Sequence, residues 1–176
     1  MLQSFHHYLE TLYEGQRDQF RANVARHCDG QDLDAAVQDA RDFVLALPAV
    51  LSCLTDIILH QDAPMMGRML VGSVSAYLFR PKDFIPEKEY GFYGFLDDAY
   101  LATYALCILM THVEPSVRND ILTQQLEQIY HQIALMERVE RIMPQDVLFL
   151  LKDFLKRVHD NANIIAGQVE LWMPLP

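Results

Sequence analysis

The chain has 176 residues, of which 51% are hydrophobic and 22% charged, and 24 acids against 14 bases leave a net charge of −10. That length suits a single domain with a sizeable core. No basic excess occurs in residues 1–62, 63–112 or 113–176, which argues against nucleic-acid binding, since that rests on neutralising phosphates with Lys and Arg.

The first pattern is helical: Leu2, Phe5, Leu9, Leu12, Phe20 and Val24 recur at steps that place them on one face. Asp29-Gly30 marks its end. A second helix carries Val37, Phe43, Val44 and Leu47 and is entered through Asp32 or Asp34 as cap. Pro48 breaks or restarts it, and Val50, Leu51, Leu54, Ile57 and Ile58 form a third stripe. Pro64 suits the first turn of a fourth helix running to about Phe79. A fifth should start at Asp97 and continue through Met110, a sixth runs from Pro115 to about Ile142, and a seventh follows Pro144. The tail after Trp172 cannot continue a helix past Pro174. No strand pattern survives, so the expectation is an all-α, single-domain bundle of about seven helices over residues 1–176.

The three cysteines, Cys28, Cys53 and Cys107, form no CxxC pair and no disulfide framework, which fits a reducing compartment. The start, MLQSFHHYLE, lacks the cationic and apolar regions of a signal peptide. Apolar runs near Val71 and Ala99 last about a dozen residues, short of the ~20 that span a bilayer. The expected location is the cytoplasm, with any membrane contact peripheral.

The segment FRPKDFIPEKEYGFYGFLDD, residues 79–98, interrupts this helical reading. Pro81 disfavours helix at Arg80, Pro86 stiffens the middle, and Gly91 and Gly94 permit turns closed to other residues. Asp97 is placed to accept the free amides of the helix that follows, and Asp98 adds charge at its positive end. The loop therefore reads as a stiff closure on a central helical hairpin, residues 63–112.

The same segment resembles the YkvA-like family of bacterial helical proteins, marked by Ser-Pro-Ile-Asp-Leu-Ile-Pro-Asp and then Gly-Tyr-Leu-Asp-Asp. Here the matching runs are Arg80-Pro81-Lys82-Asp83-Phe84-Ile85-Pro86-Glu87 and Gly94-Phe95-Leu96-Asp97-Asp98. Arg80, Lys82 and Glu87 depart from the pattern. The resemblance covers about residues 63–106; it implies a helical hairpin and supplies no activity.

Two chemistries are open to the loop. Asp83, Glu87, Asp97 and Asp98 could converge on a hard divalent cation, which takes oxygen ligands; otherwise they are turn and helix-start acids. No cofactor is expected. No Glu has a His three residues on, as a di-iron bundle requires, and no Walker segment, GxGxxG or GxSxG occurs. The leading expectation is a non-catalytic module that binds a protein or its own copy through the loop face, with Arg80, Tyr90, Phe92, Tyr93 and Trp172 as contacts. A metal-dependent enzyme using the loop carboxylates and a peripheral membrane protein are the alternatives.

Overall fold

A computed structural model describes residues 2–30, 32–60, 63–78, 83–112 and 126–172. Arg80, Pro81, Lys82 and Pro174 lie outside these residues, as does the side chain of Trp172.

The protein is all-α. Helix α1 spans Leu2–Ala25 and bends at Gln16, whose backbone leaves helical geometry (φ −130°, ψ 17°) directly after Gly15. Helix α2, Leu33–Leu45, starts at Asp32, whose carboxylate accepts the amides of Asp34 (3.0 Å) and Ala35 (3.4 Å). Helix α3, Leu47–Leu59, follows after one residue, because Ala46 stays in right-handed geometry and Pro48 occupies the first turn, where its missing N–H costs nothing. Pro48 thus bends a helix instead of ending it. With α2 and α3 taken as one bent helix, the described residues hold six long helices, one fewer than expected.

That bent helix also corrects the reading of the apolar runs. Among the described residues, Leu33–Leu59, and not the runs near Val71 or Ala99, is long and apolar enough to cross a membrane, yet 44% of its most apolar window is buried inside the bundle.

Helix α4 covers Met65–Leu78, and a single turn, α5, covers Glu87–Tyr90. A 3₁₀ turn at Gly91–Gly94 feeds into α6, Phe95–His112. Helix α6 thus starts two residues before Asp97. It is the centre of the fold, buried along most of its length and packed by α2, α3, α4 and the two later helices, as expected of a helix apolar nearly all round. Those helices are α7, Leu126–Val139, and α8, Gln145–Trp172, on either side of Pro144. Residues 113–125, where the sixth helix was expected to begin, lie outside the described residues. Gln132 of α7 is buried and donates to Phe43 O (3.0 Å) and Thr103 Oγ1 (3.3 Å), tying α7 to α2 and α6.

The loop fits this frame through two glycines. Gly91 has φ +58°, a conformation side chains rarely adopt. A Cβ on Gly94 would lie 2.6 Å from Glu87 Cα and 2.8 Å from Glu87 N, both backbone atoms that cannot swing away. Gly94→Ala is therefore expected to cost about 2–3 kcal/mol, read as a lower urea midpoint with an unchanged m-value; a variant as stable as the parent would contradict the close approach.

Candidate functional site

The loop is closed by one carboxylate. Asp97 is fully buried in the first turn of α6. Its Oδ2 accepts from Tyr77 Oη (2.7 Å), Phe84 N (3.1 Å) and Ile85 N (3.1 Å), and Phe84 N also donates to Tyr77 Oη (2.8 Å). The Tyr77 ring stacks on Phe84, with centroids 5.3 Å apart. Asp97 was expected to cap its own helix. Because α6 begins at Phe95, it instead sits inside the first turn and takes up the amides of the loop arriving from α4.

The neighbouring acids are destabilised as anions. Burial, opposed by the Tyr77 hydrogen bond, raises the Asp97 carboxyl to about 6. Burial first, then repulsion from Asp97, Glu87 and Asp83, pushes Asp98 up to about 9. Burial and the adjoining Asp83 carboxyl raise Glu87 to about 7. The Oδ1 atoms of Asp97 and Asp98 are buried without a partner among the described residues. The two neighbours therefore divide the work at neutral pH: Asp97, with three donors, carries the charge, and Asp98 keeps its proton. Burial and the nearby Asp97 also raise Tyr77, so its hydroxyl remains a donor.

No ion pair reaches Asp83, Glu87, Asp97 or Asp98 among the described residues. Arg68, in the first turn of α4, donates to His60 O (3.1 Å) and Ala63 O (3.3 Å). Among the described residues, no group of three or more His, Cys, Asp or Glu is arranged to hold a metal ion.

Of the residues expected to face a partner, Phe92 and Tyr93 are core. They are 0% and 2% exposed, because the 3₁₀ turn packs on α1. Phe92 meets Phe20 and Tyr13 edge-on, each with centroids 5.1 Å apart. Tyr93 donates to Ile142 O (3.0 Å). The turn is pinned further by Gln16 Oε1, which accepts from Phe92 N (2.8 Å) at the bend of α1. Of Tyr90, Phe92 and Tyr93, Tyr90 alone keeps part of its surface in solvent. Trp172 is the last residue of α8, and Arg80 is outside the described residues.

Tyr90 also borders a cleft of about 320 Å³. One wall is the loop, through Phe84, Ile85, Tyr90 and Tyr93. The facing walls are Asn23, Arg26 and His27 at the end of α1, and Pro144, Asp146 and Val147 at the start of α8. A larger cavity of about 460 Å³ lies near the α2–α3 bend, lined in part by His6, Cys53 and His131. None of the four loop carboxylates lines either space.

Three residues of this region carry no signal that the sequence reading used: Tyr77, Gln16 and Asn23. Tyr77 alone was open to suspicion, since a tyrosine within a buried stripe needs a partner for its hydroxyl.

Residues 68–104, from the first turn of α4 to the middle of α6, match the family described as "Protein of unknown function (DUF1232)". The matched segment contains Tyr77 and all four carboxylates. The chain is also similar to the uncharacterized protein ORF9 of Methanothermobacter thermautotrophicus, 27% identical over 110 residues that make up 59% of this chain and 75% of that protein. No solved structure matches.

Proposed function

We propose that the protein is a non-catalytic, cytoplasmic helical module, its hairpin of the YkvA-like kind, that binds a protein partner or a second copy of itself on the face of the clasp loop. The observation that carries this reading is the cleft walled by Phe84, Ile85 and Tyr90, together with exposed apolar residues one turn further along α8. Phe149 and Leu150 lie three and four residues beyond Asp146, so they follow it on one side of α8. They are 72% and 46% exposed. An apolar extension of a polar-edged cleft is the form of a protein contact more than of a solvated face. The reactive-looking part of the loop, by contrast, spends its hydrogen bonds on the loop itself.

The test is site-directed photo-crosslinking in the native host, with a benzophenone residue in place of Tyr90 or Phe149 and, as control, at exposed Thr55 of α3. A discrete adduct from both positions and none from Thr55 is expected. Adducts no different from the control reject the proposal.

A second reading draws on the two unpartnered oxygens of Asp97 and Asp98, which leave acceptor capacity for a divalent cation and so for a metal-dependent enzyme. It requires that excess Mg²⁺ or Ca²⁺ raise the melting temperature and that Asp98→Asn abolish the rise. Melts identical in EDTA and in either cation reject it. The peripheral-membrane alternative, in which the central hairpin dips into the bilayer, is tested by flotation with liposomes.

A further inference from the structure

We infer that the cleft between the end of α1 and the clasp loop takes a carboxylate, supplied by an acidic side chain of the partner polypeptide; this rests on the protein-binding reading above. Asn23 lines the cleft, is 6% exposed, and its Nδ2 has no acceptor among the described residues. The amide's orientation is set by Arg26, whose Nη1 donates to Asn23 Oδ1 at 3.2 Å. Turning the amide over would set donor against donor, so the unmet group is an N–H that needs an acceptor. Arg26 itself carries no ion pair among the described residues, and His27 stands beside it with its ring stacked on Tyr93, centroids 6.4 Å apart. An orphan amide donor, a guanidinium without an acid and an imidazole thus border one small space.

Their complement is an anion with two oxygens in a plane, which a guanidinium binds through paired hydrogen bonds. Asp146 on the facing wall and the net charge of −10 select a single negative charge over a phosphate dianion. Phe84, Ile85, Pro144 and Val147 supply apolar walls for the residues on either side of the acid. The occupant is therefore a glutamate or aspartate within an otherwise apolar stretch.

The experiment titrates the full chain with acetyl-Leu-Glu-Leu-amide and acetyl-Leu-Gln-Leu-amide, reading the side-chain N–H resonances of Asn23 and Arg26 and the ring resonances of His27 by NMR. The glutamate peptide is expected to shift all three saturably, and the glutamine peptide to bind about tenfold more weakly, the loss of one charge-assisted hydrogen bond. Arg26→Gln, at an exposed position, is expected to give the same tenfold loss at an unchanged melting temperature. Equal binding of the two peptides, or binding indifferent to Arg26→Gln, overturns the carboxylate while leaving the partner surface standing. No saturable shift from either peptide overturns it as well. Peptide binding without crosslinks at Tyr90 and Phe149 instead rejects the partner reading alone.

Discussion

Asp97→Ala is expected to destabilise the protein by about 3–5 kcal/mol, the range for removing a buried acceptor that several donors share. Three donors converge on one oxygen of Asp97. With that oxygen gone, the Phe84 amide keeps only Tyr77 Oη as acceptor, while the Ile85 amide and the Tyr77 hydroxyl must each find water or remain unmet, in a place where Ile85 and Tyr77 are 2% and 3% exposed. Tyr77→Phe is the control. It removes one donor and leaves both amides on the carboxylate, so its cost should be nearer 1–2 kcal/mol. Urea denaturation gives both values, and amide exchange at Phe84 and Ile85 should accelerate selectively in Asp97→Ala. A loss under about 1 kcal/mol, well below a shared buried acceptor, would mean that the loop is held by its apolar contacts alone.

The second large effect is a stability that falls as pH rises. Asp98 has a folded pKa of about 9 against an ordinary value of 3.8. Between those values the native state holds a proton that the unfolded chain has released, so unfolding becomes easier with each step in pH, and the loss is complete only above the folded value. Asp97 adds to the slope up to about pH 6 and Glu87 up to about pH 7. From pH 7 to 9 the slope belongs chiefly to Asp98, at about 1.4 kcal/mol per pH unit. Among the described residues, the charged groups that bear on it are Asp97, Glu87 and Asp83, all of the same sign. Asp98→Asn removes the titration, so its stability relative to the parent should grow across that window by the same increment. Parallel pH profiles for the two proteins would show that Asp98 ionises normally in the folded state.

Local rules were legible in the sequence where the partner lies within a few residues. Asp32 caps α2 because its acceptors' targets are two and three residues away, and Pro64 and Pro144 mark helix starts for the same reason. The hairpin around residues 79–98 was readable from its prolines and glycines. What it does with its polar atoms was not. Asp97 could cap the helix ahead or gather the loop behind, and only the arrival of the Phe84 and Ile85 amides at its carboxylate decides between them. Phe92 and Tyr93 are as apolar on the surface as in the core, so their burial depends on where α1 lies. Gln16 finds its partner, Phe92 N, 76 positions away, and no spacing rule reaches that far.

Every bond that closes on Asp97 joins residues at most 20 positions apart, whereas the attachments of the turn to Gln16 and Ile142 reach 76 and 49 positions. Short chain closures form early because they forfeit little loop entropy. The middle of the chain can therefore close on itself at less cost in loop entropy than the attachments of the first helix and the Ile142 turn require.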